Sequence, residues 1–248
     1  TPSWVDIGTT DVPGATAFYG SLFGWTVQDM GPDSGGYGII LRGGKQVAGI
    51  GPATDPDRGT SWAVYFATDS ADANAAKVEA NGGKVIMPPM DVFDQGRLAV
   101  FQDPTGVYFS VWQPNQLKGA EAVDEHGTMS WVELTTQDIA TSKSFYEAVL
   151  PISTRDADIG DGQTYTLLQV GDKNVAGAMG VPAEAGGMPP QWTVYFAVDD
   201  CDAIADKAVE LGATEMLRQD SPAGRFAFLT DPQGGVFGII HNNPDFSM

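Results

Sequence analysis

The chain has 248 residues, 42% apolar and 18% charged, which suits one large domain or two ordinary ones and excludes wholesale disorder. Thirteen Lys and Arg against 32 Asp and Glu give a formal charge of −19, which argues against nucleic acid and anionic membranes as partners and would draw in cationic ligands. Cys201 is the single cysteine, so no intramolecular disulfide forms, and no stretch reaches the roughly 20 apolar residues of a membrane helix. TPSWVDIG at the start carries no basic stretch followed by an apolar run, as a signal peptide would. The expectation is a soluble, cytoplasmic protein, monomeric (as a pseudo-dimer) or homodimeric.

Thirty-one glycines and sixteen prolines predict many turns, hence strands more than long helices. In chain order, WVDIGTT from Trp4 predicts a strand, Asp11 an N-cap with Pro13 in the first turn, and a helix to about Phe23. Glycine-rich hairpins follow, near 37–42 and 46–51. SWAVYFAT (61–68) predicts a second strand; Asp69 or Ser70 caps a helix through about Asn81, which Gly82 and Gly83 stop. Strands near 84–87, 97–102 and 107–112 come next, the last two joined by a turn at Asp103-Pro104-Thr105-Gly106. The segment 113–128 is polar, lacks apolar periodicity and reads as a linker. The pattern then restarts, with helices near 139–149 and 200–211 and Gly212 as a stop.

The restart is an internal duplication. WVDIGTTD (4–11) returns as WVELTTQD (131–138), Phe18-Tyr19 as Phe145-Tyr146, and VAG at 47–49 as VAG at 175–177. Trp62-Ala-Val-Tyr-Phe66 returns as Trp192-Thr-Val-Tyr-Phe196, Gly96-Arg97 as Gly224-Arg225, and Asp103-Pro-Thr-Gly106 as Asp231-Pro-Gln-Gly234. The offsets stay between 127 and 130. The copies are assigned to 1–115 and 129–248, with 116–128 between them.

The opening strand ending in Thr-x-Asp, the helix with Phe-Tyr and the closing Asp-Pro-x-Gly turn, in this order in both halves, resemble the vicinal oxygen chelate superfamily of glyoxalases, bleomycin-resistance proteins and extradiol dioxygenases. The likeness covers nearly all the chain outside the linker. It extends to tandem-domain actinobacterial members labelled hydroxylases or glyoxalase-like proteins, some of which occur with antibiotic pathways. The resemblance implies an α+β fold of two tandem glyoxalase-like domains, each of paired βαβββ units in a curved sheet around a cavity.

In metal-dependent members, ligands come from the first residue of the opening strands and from a Glu four residues past the closing glycine. Seven residues before Asp11, Asp69, Asp138 and Asp199 stand Trp4, Trp62, Trp131 and Trp192. Four past Gly106 and Gly234 stand Ser110 and Gly238. Indole offers no lone pair for coordination, and neither closing position holds a carboxylate, so no metal and no other cofactor is expected. His126 lies in the linker, and His241 is out of phase with Gly238.

The expected ligand is instead a small aromatic molecule, antibiotic-like and either neutral or cationic. Trp4, Trp62, Trp131 and Trp192, with Phe66, Tyr108 and Trp112, are candidates for stacking on it, or else for core packing. Asp6 and Glu133, each two residues after an opening Trp, could bind a ligand amine or hydroxyl, or bond backbone groups. In an enzyme they would serve as acid or base. Arg97 and Arg225 could grip an anion but more often pair with neighbouring carboxylates. Cys201, at a helix start without a neighbouring His, is a poor nucleophile candidate. Two readings stand: a metal-independent binding protein for sequestration, resistance or biosynthesis, and a metal-free hydroxylase, isomerase or lyase of secondary metabolism.

Overall fold

The computed structural model describes residues 1–55, 57–159, 164–181 and 189–246. The first βαβββ module is β1 (Pro2–Thr9), α1 (Val12–Phe23), β2 (Thr26–Asp29), β3 (Gly38–Arg42) and β4 (Lys45–Pro52). The second is β5 (Ser61–Ala67), α2 (Ala71–Ala80), β6 (Lys84–Val92), β7 (Gly96–Gln102) and β8 (Tyr108–Pro114). In the second copy, β9 (Met129–Thr136), α3 (Ile139–Val149), β10 (Ser153–Asp158), β11 (Thr164–Val170) and β12 (Lys173–Gly180) form the third. The fourth comprises β13 (Gln191–Ala197), α4 (Cys201–Glu210), β14 (Thr214–Ser221), β15 (Gly224–Thr230) and β16 (Val236–Asn242). The strands make two eight-stranded sheets, ordered β2-β3-β4-β1-β5-β8-β7-β6 and β10-β11-β12-β9-β13-β16-β15-β14. Each opening strand pairs in parallel with its module's last strand, β1 with β4 and β9 with β12 for example. The fold is α+β, with few helices and tandem modules.

Each helix starts where a short polar side chain takes up an orphan backbone N–H. Asp11 accepts from Gly14 N, Ser70 from Ala73 N, Asp138 from Thr141 N and Asp200 from Ala203 N, all at 3.0–3.1 Å. The caps of α2 and α4 are therefore Ser70 and Asp200, not Asp69 and Asp199. That one-residue difference moves two tryptophans to the other face of their strands, with consequences for the site.

The chain forms two compact units, and each draws on both copies. The first comprises Thr1–Trp4, Val64–Gly119 and Trp131–Thr193; the second comprises Val5–Ala63, Ala120–Ser130 and Val194–Met248. In the first, α2 meets α3, where Asn74 Nδ2 donates to the Val149 carbonyl at 2.8 Å, beside a ring cluster of Phe66, Phe101, Phe109, Phe145, Tyr146 and Trp192. In the second, Tyr19, Phe23, Trp25, Trp62, Phe196 and Phe237 pack between α1 and its neighbours. The polar linker is tied down there. Trp25 Nε1 donates to the Gly127 carbonyl at 2.7 Å, Arg42 Nε to that of His126, and Arg42 Nη1 to that of Phe23 at 2.6 Å.

The two recurrent motifs meet in these cores. In the second unit Trp62 Nε1 donates to Tyr19 Oη at 3.1 Å, and Tyr19 Oη donates to Asp231 Oδ2 at 2.8 Å. Asp231 Oδ1 accepts the turn's own Gln233 and Gly235 N–H groups. The first unit repeats this, Trp192 to Tyr146 at 2.9 Å and Tyr146 to Asp103 at 3.1 Å. The Phe-Tyr helix of one copy is thus bonded to the Asp-Pro-x-Gly turn of the other. Burial first, and the nearby carboxylate second, push both phenols far above the usual tyrosine range, so they remain protonated donors.

Candidate functional site

Strand alternation sorts the residues of the opening strands. On β9, Val132, Leu134 and Thr136 face the helix side; Leu134 borders, with Ile139, Ser142 and Tyr146, a small void of ≈ 10 Å³. Trp131, Glu133 and Thr135 occupy the opposite, helix-free face. Counting back five residues from the true caps gives Asp6, Tyr65, Glu133 and Tyr195 on that face. Their ladder partners are Gly49, Ser110, Gly177 and Gly238. Counting back seven gives Trp4, Ala63, Trp131 and Thr193.

This corrects the expectation of four equivalent tryptophans. Trp62 and Trp192, with Phe66, lie on the helix side, 5%, 4% and 1% exposed, and their rings and indole N–H groups are spent on the core. Trp4 and Trp131 hold the equivalent helix-free positions, Trp4 buried and Trp131 part-exposed. On β8, Tyr108, Ser110 and Trp112 share the face opposite α2. Trp112 is buried, lies over Gly96, where a Cβ would stand 2.4 Å from its ring, and donates Nε1 to the Leu117 carbonyl at 2.8 Å.

Around the two acids the structure gathers residues that sequence reasoning did not single out. In the first unit Trp131 Nε1 donates to Tyr165 Oη at 3.0 Å, and Tyr165 Oη donates to Glu133 Oε2 at 2.7 Å. In the second, Tyr37 Oη donates to Asp6 Oδ2 at 3.2 Å. Burial, then the charge and hydrogen bond of Glu133, hold the Tyr165 phenol well above its usual range. The recurrent VAG now has a physical reason. A Cβ at Gly49 would stand 1.8 Å from the Tyr37 hydroxyl, and one at Gly177 1.7 Å from that of Tyr165. Only glycine leaves room for the phenol beside the carboxylate. The one sequence signal for these tyrosines was the VAG repeat itself.

The remaining candidates are structural. Arg97 pairs with Asp72 and Asp91, and Arg225 with Asp202 and Asp220. Cys201 is buried, its thiol pushed up to about 11 chiefly by desolvation, which leaves little thiolate at neutral pH. His126 Nδ1 is engaged by Asp199, and His241 Nδ1 lies 3.2 Å from the Val198 carbonyl. Among the described residues no three of His, Cys, Asp and Glu converge on one point. The family's divalent metal does not fit these donors: each acid stands opposite a glycine, with a phenol bonded to one of its oxygens and no imidazole or second carboxylate beside it among the described residues. Among those residues, too, no helix is long and apolar enough to cross a membrane.

Tandem βαβββ modules in two eight-stranded sheets define a glyoxalase-fold protein. The family model described as the Glyoxalase/Bleomycin resistance protein/Dioxygenase superfamily matches residues 1–111, and the one described as Glyoxalase-like domain matches 131–240. The chain belongs to this superfamily. It is 41% identical to the anthracycline biosynthesis protein DnrV of Streptomyces peucetius, over 96% of this chain and 92% of the relative. It is also 41% identical to the glyoxylase-labelled protein CFP32 of Mycobacterium tuberculosis, over 98% and 95%. Among solved structures it resembles a Mn(II)-bound glyoxalase from Novosphingobium aromaticivorans, with TM-score 0.65 and 20% identity over 97% of this chain and 81% of that one. A trihydroxybiphenyl dioxygenase from Sphingomonas wittichii matches with TM-score 0.65 and 13% identity, over 98% and 90%. At these identities the two structures share the fold alone.

Proposed function

We propose that the chain binds a small planar, hydroxylated aromatic metabolite of the anthracycline type, without a metal, as an accessory or sequestering protein of secondary metabolism. The observation that carries this reading is the carboxylate–phenol pair on a helix-free strand face. Such a pair accepts a hydrogen bond from a ligand hydroxyl or ammonium group beside aromatic surface, where a metal site would need imidazole or further carboxylates. Two further facts support it. Net charge of −19 favours an amine-bearing ligand, and a relative at 41% identity is named for anthracycline biosynthesis.

Sequestration needs no chemistry beyond mass action. The enzymatic alternative has one specific support: a carboxylate in a short hydrogen bond to a phenol that stays protonated can exchange a proton with a bound phenolic ligand. Both are tested together by titrating the protein's tryptophan fluorescence with doxorubicin and with 1,8-dihydroxyanthraquinone, with mass spectrometry of the mixture before and after excess EDTA. Saturable quenching insensitive to EDTA, with unchanged ligand mass, is the expected result. EDTA-sensitive binding would overturn metal independence, and a new mass would convert the binder into an enzyme.

A further inference from the structure

Of the six tryptophans, five are closed to solvent: Trp4, Trp25, Trp62, Trp112 and Trp192 are 4–5% exposed. Trp131 alone is part-exposed. It is also held still, because its Nε1 donates to Tyr165 Oη at 3.0 Å and that hydroxyl donates in turn to Glu133 Oε2 at 2.7 Å. A flat aromatic face is thus offered at a fixed angle, two residues along β9 from a carboxylate on the same strand face. The phenol takes one of the roughly four lone-pair positions at which a carboxylate accepts.

A second, independent observation falls on that face. Thr193 lies on β13, the strand beside β9 in the sheet, and follows Trp192, whose indole bonds Tyr146 on the helix side. Alternation therefore turns Thr193 to the helix-free side, with Trp131 and Glu133. Thr193 is 1% exposed, and its Oγ1 has no hydrogen-bond partner among the described residues. A buried hydroxyl left unpaired lowers stability, and valine would fill the same space without that loss. The first copy has Ala63 in the corresponding place. A hydroxyl kept at this position points to a partner from outside the chain. Trp131, Glu133, Tyr165 and Thr193 all belong to the first compact unit.

We propose that this face recognises a planar aromatic ring whose edge carries a hydroxyl beside a carbonyl, and that Glu133 rejects ligands bearing an acidic group. The inference rests on the binding reading above and deepens it by naming the part of the ligand that is read. The ring lies on Trp131, the ligand hydroxyl donates to Glu133, and the ligand carbonyl accepts from Thr193. Tyr165 is a positioning residue that holds both the indole and the carboxylate in place. A ligand carboxylate would meet Glu133, itself 8% exposed, as a like charge where water is scarce, and the repulsion there is strong.

Isothermal titration calorimetry of the full chain with 1,8-dihydroxyanthraquinone and with its 3-carboxylic acid tests it. The neutral compound should bind about tenfold tighter or more, and Glu133→Gln should bring the two within about twofold. Trp131→Leu should weaken the neutral ligand about tenfold, and Trp131→Phe less than about threefold. Thr193→Val should raise the thermal midpoint yet weaken that ligand about fivefold, a combination that a purely structural hydroxyl does not give. Hydroxyl-radical footprinting needs no variant: Trp131 should be the tryptophan oxidised most in the free protein, and the neutral ligand should shield it. Equal affinity for the two compounds, or an unshielded Trp131 beside measurable binding, overturns this inference and leaves the binding reading standing. No binding of either compound or of doxorubicin by the unaltered protein overturns the binding reading itself, and this inference with it.

Discussion

Asp231 shows how one residue can serve two ends. Its Oδ1 shapes the closing turn and its Oδ2 holds Tyr19, but burial raises its carboxyl above the ordinary 3.8 because the charged form is poorly solvated there. A raised native pKa means that the folded chain holds this proton more tightly than the unfolded one. The stability it contributes is therefore present below 3.8 and is lost as pH rises through the native value. Asp231→Asn removes that dependence. In urea unfolding at several pH values, the wild-type protein should lose stability relative to Asp231→Asn as pH rises from about 4 towards neutrality. A relative gain would refute the sign. At this scale the sequence was legible in types and not in roles. Asp6 and Glu133 stood out as acids in equivalent places, but Tyr37 and Tyr165 did not. Each reaches the acid from two strands away, Tyr37 from just ahead of β3 and Tyr165 from β11, and the local trace of it is a glycine on the strand between, left small to admit a hydroxyl.

At the scale of elements, most of the pattern could be read in advance. The helix of the first module to Phe23, that of the third over 139–149, the hairpins and the closing turns all fall where caps, glycines and periodicity put them. The error was one residue long. Asp69-Ser70 and Asp199-Asp200 each offer two competent caps in succession, and local chemistry alone does not choose between them. Choosing the first put Trp62 and Trp192 on the ligand face; the structure chooses the second and buries both indoles against Tyr19 and Tyr146. Because strand faces alternate, a shift of one inverts every side chain, so a small misreading of a cap put two indoles on the other strand face. Cap substitutions check the register directly. Ser70→Ala should cost about 1 kcal/mol of stability, while Asp69→Ala, outside the cap, should stay within about 0.5 kcal/mol. Reversed sizes would restore the other register.

For the molecule as a whole, the duplication was plain in the sequence, but the interleaving was not. Repeats report what recurs and stay silent on which copy packs with which. The partnership is decided by long-range bonds such as Tyr19 to Asp231 and Tyr146 to Asp103. Each compact unit takes modules from both copies, so a cut between the copies should strand both halves. Residues 1–128 expressed alone should lack a cooperative unfolding transition or associate through their exposed module faces, and mixing them with 129–248 should restore one. A monomeric, cooperatively folding 1–128 would contradict the interleaved cores.

That partnership also sets an order of events while the chain is being made. The Tyr146–Asp103 bond closes a span of 43 residues and the Tyr19–Asp231 bond one of 212. The longer closure costs about 1.4 kcal/mol more in chain entropy. It also waits until Asp231 has left the ribosome. Of the four modules, the one that carries Asp6 is made before the other three and therefore waits longest for its mate. During translation it is, of the four, the module most in need of protection by chaperones.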